Sequence, residues 1–345
     1  MNRISETTDI PVGISACVMG EEVRFNGGHS QSRICQNQLA KHFKFQSFCP
    51  EVAAGFGIPR PTMRLTGDPA NPKLIFSRPP SETPREQAEK TQQQDSDNDS
   101  DTLLMQDLSK KLTDACQPML NRCEQLDGFI LKKDSPSCGM ERVKIYQPSG
   151  HPHEERGAGL FARALMERFP NLPIEEDGRL NDAQLRENFV MRVFAHHNFR
   201  TEVAGQPSFH NLLQFHSSYK YLLMAHNQTA YRELGKMLAV AHNEPLDALI
   251  KTYHQQFMSA INTPASRGSH CNVMQHIMGY LKQSVDSTAR QHILSVFEQY
   301  RLGEVNLITP MTLLSHYINQ NGSEYIRAQR YLEPYPSHLG LRNLV

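Results

Sequence analysis

The sequence predicts an α/β domain with a Rossmann-like parallel sheet, followed by an all-α domain. In the first half of the chain, apolar β-rich runs alternate with segments of helical spacing, which is typical of a parallel sheet with crossover helices. From about residue 185, each segment instead has apolar residues three and four positions apart. Because 345 residues are too many for one small core, we expect two domains, over 1–178 and 179–345.

Three apolar runs are the predicted strands of the first domain. They end near Cys17, near Cys49 and at Lys132, and segments with helical spacing cover 32–43, 107–126 and 156–173. Pro118 lies within the second of these segments. It should kink or divide that helix, because proline lacks the backbone N–H that continues the hydrogen-bond ladder.

Residues 77–101 differ in composition from their surroundings. They are rich in Gln, Asp, Ser and Pro and contain almost no apolar side chains. Such a segment cannot bury enough apolar surface to offset the entropy lost on ordering. Because the entropy of loop closure grows only logarithmically with length, a long loop is tolerated. We expect a disordered, passive insertion near 77–103.

Charge and cysteine content limit the class of protein. The chain has 36 Lys and Arg against 36 Asp and Glu, which indicates no particular partner. From residue 185 onward there are 14 Lys and Arg against 10 Asp and Glu, and 12 of the 16 His also lie in this part, so it is mildly basic. The N-terminus lacks an apolar export signal, and no apolar run reaches the ~18 residues of a membrane span. We expect a cytoplasmic protein whose cysteines stay reduced. The sequence does not indicate an oligomeric state.

Three of the seven cysteines share a position relative to the predicted strands. Cys17, Cys49 and Cys138 follow strand ends, whereas Cys35, Cys116, Cys123 and Cys271 lie in helical patterns, where a buried free thiol is the ordinary explanation. The carboxyl ends of parallel strands meet at one sheet edge, so the first three could converge there. Three thiolates could hold zinc or an iron–sulfur cluster with one open position. Because no CxxC is present, small residues at crowded strand ends are the competing interpretation.

The motifs around these cysteines resemble the thiouracil desulfidase (TudS) family. They read SACVMGEEVRFNGG at 15–28, FCPEVAAGFGIPRP at 48–61 and KKDSPSCG at 132–139, in the order of the family. The second half resembles the YbgA-type helical domain in FHNLLQFHSSYKYLLMAH, HCNVMQHIMGYLK and ITPMTLLSHYI. The fusion of the two is similar to RudS-type desulfidases, which remove sulfur from 4-thiouridine in tRNA.

The resemblance implies a 4Fe–4S cluster whose fourth iron has no protein ligand. The cluster ligands that it assigns are Cys17, Cys49 and Cys138. An open iron site is a suitable Lewis acid for a soft thiocarbonyl sulfur, and the implied reaction is a non-redox hydrolysis that releases sulfide. Glu51 matches the acid–base carboxylate of the family and would orient or deprotonate the attacking water.

Four other residues near the cysteines are candidates for contacting substrate. Ser135 and Ser137 belong to the serine-containing loop of the family, where either hydroxyl could contact the pyrimidine, although serine in such loops more often caps a helix. Asn26 stands where the family has Asp. Arg60 could bind a phosphate, although a salt bridge is its more ordinary role.

In the helical half, His216 and Lys220 are candidates for contacting RNA phosphates, with Tyr219 or Tyr221 stacking on a base. Buried, hydrogen-bonded histidines are the competing interpretation. We expect an RNA-binding domain, because a polyanionic RNA substrate needs a separate platform.

We therefore expect an iron–sulfur desulfidase of thiolated uracil in RNA, with thiolated tRNA or thiouridine as the substrate. Three alternatives stay open. One is an enzyme acting on free thiouracil or its nucleoside with a structural helical domain, and another is a noncatalytic RNA-binding protein with structural zinc. The third is sulfur insertion rather than removal, which would need an external sulfur donor.

Overall fold

The computed structural model describes residues 10–77, 106–241 and 244–345. The insertion expected near 77–103 lies outside the described residues from residue 78 onward. The described chain divides into two compact units. The N-terminal unit comprises residues 10–170 and Ile174–Arg179, and the helical unit comprises Asn171–Pro173 and Leu180–Val345.

The strands of the N-terminal unit are short. In chain order they are β1 (Ile10–Ser15), β2 (Phe43–Phe48), β3 (Met63–Thr66), β4 (Lys73–Phe76), β5 (Gly128–Leu131), β6 (Val143–Tyr146), β7 (Pro152–Gly157) and β8 (Ile174–Glu176).

One sheet is parallel throughout and has the strand order β2-β1-β5-β8. Its first three strands are the predicted apolar runs, so the α/β prediction for this half is confirmed. β8 has three residues, too few to show a period in the sequence, and it was not predicted.

The second sheet has the order β4-β3-β6-β7, with antiparallel pairs at both edges and a parallel pair in the centre. This sheet was not predicted either. The residues of β7, PHEERG, are exposed or half-buried and lack an apolar pattern. β4 and β6 do contain buried apolar residues, but each has only four residues.

Helices of this unit pack beside the parallel sheet. They are α1 (Ala16–Met19), α2 (Arg33–Asn37), α3 (Pro50–Ala53), α4 (Ser109–Cys123) and α5 (Leu160–Arg168). α4 continues through Pro118, so the predicted division of this helix is wrong. Pro118 lies on the exposed face of α4. Because proline has no N–H to donate to the carbonyl oxygen of Asp114, that oxygen can bind water instead.

Aromatic packing fixes the centre of the parallel sheet. The Phe129 ring of β5 lies 5.2 Å from the ring of Phe48 and 5.7 Å from that of Phe161, centroid to centroid. A Cβ atom at Gly13 would lie 2.3 Å from the Phe129 ring, so β1 needs glycine where this ring crosses it. The contacts join β1, β2, β5 and α5 directly behind the strand ends.

The described elements of the second unit are helical, which confirms the all-α prediction. They are α6 (Ala183–Phe199), α7 (Phe209–His226), α8 (Gln228–Val240), α9 (Leu246–Ala260), α10 (Arg267–Met278), α11 (Ser287–Leu302), α12 (Ile308–Asn321) and α13 (Glu324–Arg327). A π-helical turn, Arg200–Ala204, follows α6.

Several of these helices begin at a side-chain cap. Asp182, Ser208, Asn227, Ser266 and Asp286 each accept a backbone N–H from the first turn of the following helix. Such caps satisfy donors that have no partner within the helix. No helix in the described part of the chain is long and apolar enough to cross a lipid bilayer.

Candidate active site

Three cysteines line one cavity at the edge where β1, β2 and β5 end. The cavity has a volume of about 400 Å³, and its wall includes Cys17, Cys49 and Cys138. Cys17 lies in α1 directly after β1, Cys49 immediately precedes α3, and Cys138 lies in the loop after β5. The structure thus brings together the three cysteines that follow predicted strands.

The other cysteines lie elsewhere in the fold. Cys35 is buried in α2, Cys116 and Cys123 are buried in α4, and the Cys271 thiol in α10 donates to the carbonyl oxygen of Phe297 at 3.3 Å. None of the four lines the cavity. They serve as small core residues, which is the role that their helical positions indicate.

The loop that carries Cys138 is shaped by a serine. The hydroxyl oxygen of Ser135 accepts the backbone N–H of Ser137 at 3.2 Å and that of Cys138 at 3.1 Å. The carbonyl oxygen of Ser135 accepts the backbone N–H of Gly139 at 2.8 Å. Ser135 therefore stabilises a tight turn, a common use of serine hydroxyls.

Gly159 allows α5 to begin directly against this loop. A Cβ atom at Gly159 would lie 2.4 Å from the carbonyl carbon of Ser137 and 2.8 Å from the backbone nitrogen of Cys138. The Ser137 carbonyl oxygen accepts the N–H groups of Phe161 and Ala162, which are free donors in the first turn of α5. The sequence analysis did not single out Gly159; the Gly-Ala-Gly run before an apolar helix is the signal that could have done so.

Two carboxylates at the end of β8 hold both ends of the same loop. Asp177 accepts the backbone N–H of Lys133 at 2.9 Å and pairs with the Lys132 ammonium at 2.8 Å. Glu176 accepts the backbone N–H of Met140 at 2.7 Å, and burial raises the pKa of Glu176. The sequence analysis missed both carboxylates because it did not predict β8.

Burial raises the pKa of all three cavity thiols. The pKa of Cys17 rises to about 11, with the nearby Cys49 adding to the effect of burial. The pKa of Cys49 is also raised by burial, and that of Cys138 is raised well above its ordinary value by burial and by Glu51. A nucleophilic cysteine requires a lowered pKa, so this environment does not favour a catalytic thiolate. A bound metal would reverse the balance, because it stabilises the thiolate form.

Glu51 lines the same cavity, and both of its carboxylate oxygens have protein partners. Oε1 accepts the hydroxyl of Ser137 at 2.9 Å. Oε2 accepts Nε–H of Arg60 at 2.9 Å and also Nη2–H of the same guanidinium. The Glu51 side chain is 15% exposed, so it can still accept a proton from water in the cavity.

The two loop serines have different positions. Ser135 is half-buried and lines the cavity, whereas Ser137 is fully buried and is absent from the cavity wall. Ser135 is therefore the serine that a ligand in the cavity can contact. Ser137 instead contacts Glu51.

Arg60 forms the salt bridge that was its more ordinary expected role, and Asn26 makes a contact within its own turn. Arg60 lies in the cavity wall, but its guanidinium binds Glu51 and donates from Nη1 to the carbonyl oxygen of Gly57 at 3.0 Å. Asn26 is exposed, does not line the cavity, and accepts the backbone N–H of Gly28 at 3.1 Å. The geometry gives Arg60 an ion-pair role and Asn26 a turn-stabilising role.

Three further cations line the cavity, and the sequence did not single out any of them. They are Arg24, Lys132 and Lys133. Lys132 pairs with Asp177, whereas among the described residues Arg24 and Lys133 form no ion pair with a carboxylate. The cavity wall therefore presents two cations without a direct ion pair, beside the carboxylate of Asp134.

In the helical unit, His216 and Lys220 lie on α7 among tyrosines. His216 Nδ1 lies 3.0 Å from the hydroxyl of Tyr253, and burial lowers the pKa of His216 to about 4. Lys220 hydrogen-bonds to Tyr325, and its ammonium lies 5.4 Å from the centroid of the Tyr221 ring. At neutral pH His216 is uncharged, so only Lys220 offers a positive charge to a phosphate.

The base-stacking role expected of Tyr219 or Tyr221 is wrong. Their residues are 1% and 2% exposed, so neither ring can receive a base. Tyr280, in contrast, is 47% exposed, and its ring centroid lies 6.0 Å from that of Tyr325. The exposed aromatic surface near Lys220 therefore comes from residues that the sequence analysis passed over.

The donor set of the cavity fits an iron–sulfur cluster. Over the residues that the structure describes, no three Cys, His, Asp or Glu side chains are grouped closely enough to hold a single metal ion. The three cysteines nevertheless line one cavity of about 400 Å³. Soft thiolate donors that face one cavity are a ligand type that suits an iron–sulfur cluster.

Comparison with known proteins gives matches in both halves of the chain. Residues 12–82 and 81–177 match the family model described as 2-thiouracil desulfurase, and residues 220–336 match the model described as a protein of unknown function, DUF1722. The uncharacterized protein YbgA of Escherichia coli (strain K12) is 32% identical over 165 residues, which cover 48% of this chain and 98% of YbgA. A solved structure of the [4Fe-4S]-dependent thiouracil desulfidase TudS is 21% identical, with a TM-score of 0.34, and the match covers 50% of this chain and 93% of that one.

The two family matches coincide with the two halves for which the motifs indicated a resemblance. Their order along the chain is also the predicted one. The chain therefore belongs to the YbgA family, and a 2-thiouracil desulfurase domain is fused to the N-terminal side of its YbgA-type domain.

Proposed function

We propose that this chain is a cytoplasmic, iron–sulfur-dependent desulfidase that hydrolyses thiouridine in RNA, above all 4-thiouridine in tRNA, to uridine and sulfide. One observation carries the proposal. Three cysteines and Glu51 line a single cavity within a domain that matches the 2-thiouracil desulfurase family.

The residues that would hold the cluster are Cys17, Cys49 and Cys138. When bound, the cluster supplies an iron with an open position, a Lewis acid that suits the soft sulfur of a thiocarbonyl. Because the three thiols have raised pKa values, assembly of the site must release their protons.

Glu51 performs the proton chemistry in this proposal. It accepts a proton from a water molecule as the oxygen of that water attacks the thiocarbonyl carbon. The C–O bond forms first and gives a tetrahedral carbon that carries a hydroxyl and a thiolate. The remaining C–S bond then breaks with its electron pair going to sulfur, the hydroxyl gives up its proton as the C=O bond forms, and the sulfur leaves as hydrogen sulfide with that proton and the one returned by Glu51. No oxidant or reductant is needed, because a carbon–sulfur double bond is replaced by a carbon–oxygen double bond. Ser137 holds Glu51 in position for this step.

Charge in the cavity wall supports a nucleotide rather than a free base. The volume of about 400 Å³ falls within the range of small-molecule sites. Arg24 and Lys133 supply positive charge suited to a phosphate. Ser135, also in the wall, is available to contact the pyrimidine.

The helical unit supports RNA as the substrate. Lys220 remains charged beside the exposed ring of Tyr280, a combination that suits a phosphate and a base. The residues from 185 onward carry 14 Lys and Arg against 10 Asp and Glu. A polyanion gains affinity from such a surface without sequence-specific contacts.

The decisive experiment compares substrates under anaerobic conditions. Protein purified without oxygen is incubated with thiolated tRNA, with 4-thiouridine and with free thiouracil, and sulfide release is measured for each. We expect the highest kcat/KM for thiolated tRNA. Equal kcat/KM for all three would contradict the RNA proposal and favour a free base or nucleoside, with a structural helical domain.

The same preparation tests the cofactor. A 4Fe–4S cluster gives a brown protein with broad charge-transfer absorption and iron bound in proportion to protein. A colourless, inactive protein that contains zinc and no iron would instead support a noncatalytic RNA-binding protein.

A further inference from the structure

We propose that Arg60 is a positioning residue of the active site, which holds Glu51 by one carboxylate oxygen so that the other oxygen stays directed at Ser137. The inference rests on the desulfidase function proposed above. It assigns a role within the reaction to a residue whose sequence position suggested a substrate phosphate contact.

All three nitrogens of the Arg60 guanidinium donate to partners within the protein. Nε and Nη2 donate to Oε2 of Glu51, and Nη1 donates to the carbonyl oxygen of Gly57. The backbone N–H of Arg60 donates to the carbonyl oxygen of Phe25 at 2.8 Å. With a side chain only 2% exposed, the guanidinium has no free edge for a phosphate.

Glu51 depends on Arg60 for its charge partner. The segment between them, VAAGFGIP, contains no ionisable side chain. Within the described chain, Arg60 is the only cation paired with Glu51. A carboxylate with so little exposure to water is costly to leave without a cation, so removal of Arg60 should disturb the position of Glu51.

The two partners of Glu51 together determine its orientation. Arg60 occupies Oε2, and Ser137 contacts Oε1 at 2.9 Å. A carboxylate oxygen has two lone pairs, so Oε1 can still accept a proton from water. A planar guanidinium that donates two N–H groups to one carboxylate restricts rotation of that carboxylate more than a single ammonium would.

The test uses R60Q and R60K, with R64Q as the matched control. Arg64 lies four residues away in β3, with its guanidinium 5.3 Å from the centroid of the Tyr146 ring, and it does not line the cavity. For R60Q we expect kcat for 4-thiouridine to fall about 100-fold, since a misplacement of about 1 Å has an effect of that size. KM should stay within about 3-fold of wild type, R60K should recover part of the loss, and R64Q should match wild type.

A double-mutant cycle distinguishes positioning from other roles. If Arg60 acts through Glu51, then E51Q/R60Q is nearly as active as E51Q alone. Losses that multiply would overturn the proposal. So would a rise in KM confined to phosphate-bearing substrates with unchanged kcat, since that pattern belongs to a substrate ligand.

A structural readout separates this inference from the proposed function. In the crystal structure of R60Q we expect Glu51 to rotate and to lose its contact with Ser137, while the cysteine loops stay in place. An unchanged Glu51 would overturn the positioning role even if the wild-type protein had no desulfidase activity. If R60Q does not fold, R60K answers the same question, because it keeps the charge and loses the two-pronged contact.

Discussion

Replacing Gly159 by Ala should remove iron from the protein although Gly159 is not a ligand. The new Cβ atom would lie 2.4 Å from the carbonyl carbon of Ser137, 2.5 Å from its oxygen and 2.8 Å from the nitrogen of Cys138. All three atoms are backbone atoms of the loop that carries Cys138. No side-chain rotation can relieve the contact, so the backbone itself must move.

The size of the effect follows from these distances. Ordinary contact of a Cβ atom begins at 3.4 Å, so a separation of 2.4 Å requires a shift of about 1 Å. Overpacking of this kind destabilises by about 1–3 kcal/mol. In a unit of this size each kcal/mol lowers Tm by roughly 2–4 °C. The same shift moves Cys138 relative to the other two cysteines.

Iron content and Tm are measured together on anaerobically purified protein. Gly279→Ala is the control, because a Cβ atom there meets nothing within 4 Å. We expect Gly159→Ala to lose most of its iron with a modest fall in Tm, and Gly279→Ala to change neither by much. Wild-type iron content in Gly159→Ala would refute the argument that this glycine positions the Cys138 loop.

Three further predictions concern other parts of the chain. Replacement of Cys17, Cys49 or Cys138 by Ala, one at a time, should abolish iron binding. Replacement of Cys116, which is buried in α4, should leave iron binding intact. Equal iron loss in all four variants would contradict the ligand assignment. Ser137→Ala should lower kcat by about 10- to 100-fold without iron loss, because Glu51 loses the partner of Oε1, and unchanged kcat would argue against that contact. Burial lowers the pKa of His216 from 6.5 to about 4, so the unfolded chain binds more protons between these values and the helical unit should lose stability as the pH falls from 6.5 to 4. Denaturant unfolding at several pH values gives the slope of the unfolding free energy against pH, which His216→Gln should reduce. An equally steep slope in the variant would refute the assignment.

The surroundings of α7 also indicate which residues should be substituted to test RNA binding. His216 is neutral and Tyr219 is buried, so two of the side chains that the sequence suggested lack the properties that RNA contact needs. Lys220 and the exposed Tyr280 are better positions for substitution. The pattern of the helix was readable from sequence, but the direction of each side chain depended on the helices packed against it.

Local pattern was sufficient for the main elements of the fold. The apolar run that ends at Cys17 predicted β1, as expected for a strand inside a parallel sheet, and the alternating aromatic run that ends at Cys49 predicted β2 at the sheet edge. The order of the elements then implied that the strand ends meet at one edge, which is where the three cysteines lie. Short or polar strands such as β7 and β8 have no such pattern, and the sequence analysis missed them.

The sequence by itself determined the two-part organisation, the carboxyl-edge cysteines and the motif resemblance, since each depends on neighbouring residues along the chain. Tertiary structure decided which serine meets Glu51, what Arg60 binds and why Gly159 must be glycine. Ser137 and Glu51 are 86 positions apart, and their contact exists only because β2 and β5 flank β1 in one sheet. Contacts of that kind depend on how distant segments pack, which no local spacing of residues encodes.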